Sequence, residues 1–125
     1  MISLFSKKEQ KNVEWRSLEE VSALEEIDEI SVDKPVLIFK HSTRCAISSM
    51  VLNKLEKSLE EETNFEKYFL DLITYRQLSN EIAVRYGVTH QSPQAILISK
   101  GKAIYEASHS AVRYDEITRR AGEVQ

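Results

Sequence analysis

Four consecutive apolar residues, Val36-Leu37-Ile38-Phe39, run unbroken between Pro35 and Lys40. A strand that alternates apolar and polar residues buries one face, whereas a run without alternation buries both. Residues 35–40 therefore read as a central strand of a sheet covered by helices on either side. The polar turn Lys40-His41-Ser42-Thr43-Arg44 follows, and then Cys45. After it, Ser48, Leu52, Leu55 and Leu59 recur at three- and four-residue steps. The pattern is strand, turn, helix, with a cysteine opening the helix.

The rest of the chain repeats that grammar. Upstream, Trp15 precedes Leu18, Val21, Leu24 and Ile27 or Ile30, interspersed with glutamates, which predicts an amphipathic helix led in by Ser17 as N-cap. Ser31-Val32-Asp33-Lys34-Pro35 is the turn that ends it. The helix after Cys45 runs to about residue 60 and ends in the acidic patch Glu60-Glu61-Glu62. Residues 65–72, with Tyr68-Phe69-Leu70, read as a strand. Residues 75–86 carry Leu78, Ile82 and Ala83 on one helical face, with Gly87 as the stop. Two more strands, 95–99 and 103–107, flank the tight turn Lys100-Gly101-Lys102, and Ser110 is the expected cap of a last helix over 111–120. Alternating strands and helices followed by a hairpin predict an α/β domain: a mixed central sheet of four to five strands with helices on both faces.

Composition excludes several classes. At 125 residues with 42% hydrophobic content, the chain forms one domain with a core of its own. A net charge of -3 gives no general pull toward nucleic acid or anionic membrane. No apolar run reaches membrane-spanning length, and the start, Met1-Ile2-Ser3-Leu4-Phe5-Ser6-Lys7-Lys8, lacks the apolar stretch of a signal peptide. Residues 1–12 are polar and basic and are expected to be a flexible N-terminal segment, leaving 13–125 as the folded domain. One cysteine forbids an intrachain disulfide framework and suits a reducing cytoplasm. One cysteine and three scattered histidines make no metal-ligand cluster.

A cysteine between a buried strand and a helix N-terminus sits where the positive end of the helix dipole stabilises a thiolate. Its neighbour one turn on is Ser48, so the sulfur can exchange disulfides but cannot close one within the chain. The bland alternative is a small buried hydrophobe.

The strand, the helix-opening cysteine, the helix ending Tyr86-Gly87-Val88, Ser92-Pro93 before Ala95-Ile96-Leu97-Ile98, and the Lys100-Gly101-Lys102 hairpin together resemble a thioredoxin-like fold. Within that superfamily, Ile38-Phe39-Lys40-His41-Ser42-Thr43-Arg44-Cys45-Ala46-Ile47-Ser48 resembles the monothiol bacilliredoxins of the general-stress-protein type. The likeness extends from about Trp15 to the last helix. One position departs from it: the family usually has proline after the cysteine, and here Ala46 stands there.

The resemblance implies a cytoplasmic thiol–disulfide oxidoreductase that removes bacillithiol from protein mixed disulfides under oxidative stress. Cys45 is the implied nucleophile and Pro93 the implied cis-proline beside it, while Ser92 offers its main chain to the substrate strand. Ser48 takes the place of a resolving cysteine; its hydroxyl either donates to the sulfur or merely fills a half-buried slot. Lys40 and Arg44 either support the thiolate and grip the carboxylates of bacillithiol or are solvated turn charges. Thr43 and Gln94 fall near the same spot by analogy. His41 is a candidate for proton transfer, and His90 and His109 read as surface residues. No tightly bound cofactor is implied; bacillithiol is the thiol co-substrate. The implied partners are bacillithiolated client proteins and a bacillithiol disulfide reductase for recycling, with no nucleic acid and no membrane. The competing reading is an iron–sulfur cluster carrier like the monothiol glutaredoxins, or a redox-sensing binding protein. Glutaredoxins of that kind follow the cysteine with Gly-Phe-Ser, of which Ala46-Ile47-Ser48 keeps only the serine.

Overall fold

Alternation along the central strand sorts the whole core. In the computed structural model, which describes residues 13–59 and 63–125, that strand is Val36–His41, and all six of its residues are buried. Val36 and Ile38 face a cluster with Leu24 and Ile27 from helix α1 (Ala23–Ile30) and Leu78, Ile82 and Tyr86 from helix α3 (Arg76–Tyr86). Leu37 and Phe39 face the opposite cluster, with Leu55 from α2 (Ala46–Ser58) and Ile117 and Ala121 from α4 (Tyr114–Glu123). Period-two side chains on a strand clothed on both faces account for an apolar run without alternation.

Numbered in chain order, the strands are β1 (Arg16–Ser17), β2 (Val36–His41), β3 (Glu66–Asp71), β4 (Gln94–Ser99) and β5 (Lys102–Ser108). Their spatial order is β1-β3-β2-β4-β5, parallel on the β1, β3 and β2 side and antiparallel from β2 through β4 to β5. The mixed sheet with helices on both faces is thus the architecture anticipated. The β4–β5 turn places Lys100 at φ 52° and Gly101 at φ 76°, both left-handed, as a two-residue hairpin turn requires. Gly87 ends α3 at φ 67°.

Two boundaries differ from expectation. Ser17 does not cap a helix: residues 16 and 17 pair in register with Tyr68 and Phe69 of β3, and the Leu18 N–H donates to the Phe69 carbonyl at 2.8 Å. Backbone groups committed to a sheet edge are not free to start a helix, so α1 begins only at Ala23. Nor does Ser110 cap the last helix. It lies within a 3₁₀ turn, His109–Ala111, the extended Val112 interrupts the chain, and α4 starts at Tyr114 with Arg113 as N-cap. The expected flexible segment 1–12 and the acidic patch 60–62 lie outside the described residues. No helix among the described residues is long and apolar enough to cross a membrane.

Candidate active site

Antiparallel pairing brings two chain-distant segments to one end of the sheet. Lys40 and Gln94 are partners across β2 and β4, so the turn leaving β2 and the segment entering β4 emerge side by side. The first carries Cys45 and the second carries the Ser92–Pro93 peptide bond, which is cis.

Cys45 is a half-buried free cysteine at the N-cap of α2, with extended backbone (φ −119°, ψ 117°). Its N–H donates to the Ser42 carbonyl at 3.2 Å, and its carbonyl accepts the Ser49 N–H at 3.2 Å. The turn before it is braced: the Arg44 N–H donates to the Ser42 hydroxyl at 3.3 Å, and the Ser42 N–H donates to the Ser48 hydroxyl oxygen at 3.1 Å. Cys45 thus stands at the N-terminus of a 13-residue helix, the positive end of its dipole.

Ser48 is fully buried, and its hydroxyl is engaged with the Ser42 N–H and with His41 Nδ1 at 2.7 Å. It is spent on the turn, and among the described residues no side-chain hydrogen bond reaches the Cys45 sulfur. His41 is buried too, its ring against Phe39 and Phe69, which in turn pack on Trp15. Burial pushes His41 below the ordinary imidazole value, against the opposing pull of Asp71 and Glu56.

Lys40 departs most from expectation. It was expected either to support the thiolate and grip the substrate or to be a solvated turn charge, and it is a fully buried lysine. Strand alternation points it away from the α2 side, and its Nζ donates to the Ser79 carbonyl of α3 at 3.1 Å. Nζ also lies 3.3 Å from His90 Nδ1. Desolvation lowers its pKa to about 8. His90, expected on the surface, is half-buried in the same network, 3.2 Å from the Ser79 hydroxyl. Burial, and then the Lys40 and Arg76 charges, hold its ring below the ordinary value. A neutral His90 can therefore present the lone pair that a charged Lys40 needs.

The other candidates divide in two. Thr43 and Arg44 are exposed on the turn ahead of the sulfur. On the facing segment Pro93 is buried, and the Ser92 hydroxyl is buried without a partner among the described residues. Gln94 is fully buried and ties down the incoming loop, donating to the Thr89 carbonyl at 2.9 Å and to Glu106 at 3.2 Å. His109 is exposed, as expected. The His41–Ser48 bond was not foreseen. Its available signal was alternation, which sets His41 on the Leu37–Phe39 face that α2 covers. Among the described residues, no three His, Cys, Asp or Glu side chains converge as a metal site.

The family comparison decides the relationship: residues 16–117 match the family described as monothiol bacilliredoxin BrxC. This chain belongs to that family. A solved structure described as an oxidoreductase with a thioredoxin fold is 28% identical, with a TM-score of 0.73, covering 84% of this chain and 91% of that one. A thioredoxin of Malassezia sympodialis superposes with a TM-score of 0.69 at 13% identity, covering 95% of this chain and 97% of that one. A thioredoxin variant from Halobacterium salinarum gives 0.67 at 16% identity, covering 92% and 94%. At such identities the two thioredoxins show the fold alone. The bacilliredoxin family and its thioredoxin-like oxidoreductase neighbours make this a redox protein.

Proposed function

We propose that this bacilliredoxin works with a single sulfur and removes bacillithiol from protein mixed disulfides. The observation that carries the reading is Cys45, the chain's only cysteine, at the N-cap of α2, with buried Ser48 where a second thiol would otherwise resolve the adduct. The Cys45 thiolate attacks the bacillithiol sulfur of the mixed disulfide. The client's S–S bond breaks, its thiolate leaves and takes a proton from solvent, and a Cys45–bacillithiol disulfide forms. A second bacillithiol thiolate attacks that disulfide, regenerating Cys45 and releasing bacillithiol disulfide for a reductase to recycle. No resident cofactor is needed.

The exposed Thr43 and Arg44 flank the approach, and an arginine at that edge suits the carboxylates of bacillithiol. Main-chain groups of Ser92 pair with the client's extended segment. Lys40, buried on the other face, has no part in gripping the substrate. A reducing cytoplasm, which keeps the lone thiol available, is the matching compartment.

The test uses one client carrying bacillithiol on its cysteine and the same client carrying glutathione, followed by intact mass with wild type and Cys45→Ala in parallel. Rapid appearance of a bacillithiol adduct on wild type, none on the variant, and slow handling of glutathione is the expected result. No transfer from the bacillithiolated client would overturn the reading.

A further inference from the structure

Ser48 and His41 present a hydrogen-bonding choice whose consequences reach the nucleophile. The Ser48 oxygen already accepts the Ser42 N–H at 3.1 Å, and His41 Nδ1 lies 2.7 Å away. A hydroxyl has one proton to donate and two lone pairs to accept with. When His41 is neutral with its proton on Nε2, Ser48 donates to Nδ1 while accepting the Ser42 N–H. When His41 is protonated, Nδ1–H must donate to the Ser48 oxygen, which fills the second lone pair. The hydroxyl hydrogen then needs another acceptor, and Cys45 stands three residues back, at the N-cap that opens α2.

We propose that His41 is a positioning residue for Cys45, acting through Ser48: neutral, it anchors the turn that presents the sulfur; protonated, it turns the Ser48 hydroxyl toward that sulfur. The inference rests on Cys45 being the reacting group, as proposed above, but not on bacillithiol being what it reacts with. A chain of bonds connects the parts: His41 to Ser48, Ser48 to the Ser42 N–H, and the Ser42 carbonyl to the Cys45 N–H.

The surroundings of His41 make its proton the variable one. Asp71 is its register partner on β3, and Glu56 approaches from α2. On β4, the position past the Lys40–Gln94 pair is Pro93, which does not titrate. Phe39, Phe69 and, behind them, Trp15 close the remaining side. Burial opposes the imidazolium and the two carboxylates favour it. Substitution can separate anchoring from titration. An asparagine at 41 presents an amide oxygen where Nδ1 stands and accepts the Ser48 hydroxyl at every pH, whereas phenylalanine keeps the packing and accepts nothing.

The experiment measures alkylation of Cys45 by iodoacetamide from pH 5 to 9, a reaction that needs no client. Wild type, His41→Asn, His41→Phe and Ser48→Ala are compared, with thermal unfolding recorded for each. Two ionisations are expected in the wild-type profile. His41→Asn is expected within about twofold of wild type at pH 7.5 but with one ionisation only, while His41→Phe and Ser48→Ala fall about three- to tenfold there. In parallel, an NMR titration of the His41 ring in wild type, free and alkylated at Cys45, is expected to show its midpoint move when the sulfur is capped. A His41→Asn profile that overlays wild type at all pH values, or a His41 midpoint indifferent to capping, overturns the proposal. The NMR arm decides the question even where His41→Phe does not fold. A client that fails to transfer bacillithiol while the alkylation profile keeps its two steps defeats the proposed function and leaves this inference standing.

Discussion

Lys40 reaches from the central strand to donate its Nζ proton to the Ser79 carbonyl at 3.1 Å, fully buried and, among the described residues, with no carboxylate beside it. A buried cation satisfied by one carbonyl and a neutral imidazole bears a desolvation cost that those bonds offset only in part.

That cost gives Lys40 a signature in pH. Its folded-state value of about 8 lies below the ordinary 10.5. Between those values the unfolded chain binds more protons than the folded one, so stability rises with pH. The rise is bounded by about 1.4 kcal/mol per pH unit across the window. Lys40→Met, unbranched and of similar length, is expected to be at least as stable as wild type at pH 7. Its advantage should shrink or reverse by pH 9.5. Urea midpoints of both proteins at the two pH values check this, and a difference that does not change with pH would show that Lys40 keeps its ordinary titration.

Lys40 also marks where the sequence was readable and where it was not. The run from Val36 to Phe39 announced a strand buried on both faces, and the cysteine after the turn announced a helix; both stand as expected. The same alternation that puts Val36 and Ile38 on the α1 and α3 side puts Lys40 there too, but a charge at a strand end reads as solvent-exposed because most are. Arg16–Ser17 was illegible for another reason: two residues at a sheet edge have no periodicity, and their partners, Tyr68 and Phe69, lie far along the chain. The His41–Ser48 bond joins positions seven apart across a strand–turn–helix: alternation gives His41 its face, but no local pattern brings Ser48 to it. Cys45 and Arg44 were legible at the strand–turn–helix junction, and Ser92, Pro93 and Thr43 only through the family resemblance, whereas the contacts of Ser48 and Lys40 required the fold.

At the opposite end of the sheet, Ser31 stitches α1 to the β4–β5 turn. Its hydroxyl donates to the Asp28 carbonyl at 2.7 Å and accepts the Gly101 N–H at 2.9 Å, while its carbonyl accepts the Lys100 N–H at 2.8 Å. Ser31 is 1% exposed, so Ser31→Ala leaves the Gly101 donor short of a partner where water does not reach easily. The expected loss is about 1–2 kcal/mol in denaturant unfolding, with Cys45 alkylation unchanged. A slowed alkylation would show that the two ends of the sheet are coupled.

Tyr86 joins α3 to α1 through one carboxylate. Its hydroxyl donates to Asp28 Oδ1 at 2.7 Å, while Arg85 holds Oδ2 at 2.8 Å. Burial first, then the bond to Asp28, pushes the phenol above its ordinary value. Its contribution is therefore complete below about pH 10 and drains away as pH rises through the folded-state value. Tyr86→Phe is expected to lower stability by roughly 1–2 kcal/mol, constant from pH 6 to 9 and narrowing above pH 10. Thermal melts across that range test it, and a gap that widened above pH 10 would reverse the assigned direction.

Ala46 is the first residue of α2, where proline costs a helix nothing because that N–H has no acceptor within the helix. The residue before a proline must be extended, and Cys45 already is, at φ −119° and ψ 117°. Ala46 is also exposed, so the added ring meets solvent instead of core. Ala46→Pro thus restricts the unfolded chain while asking little of the folded one, and is expected to raise stability by about 0.4–1 kcal/mol. Chemical unfolding monitored by circular dichroism measures the gain. A loss of more than about 1 kcal/mol would mean that Cys45 cannot keep its present backbone angles ahead of a proline, and that the alanine is needed to seat the sulfur.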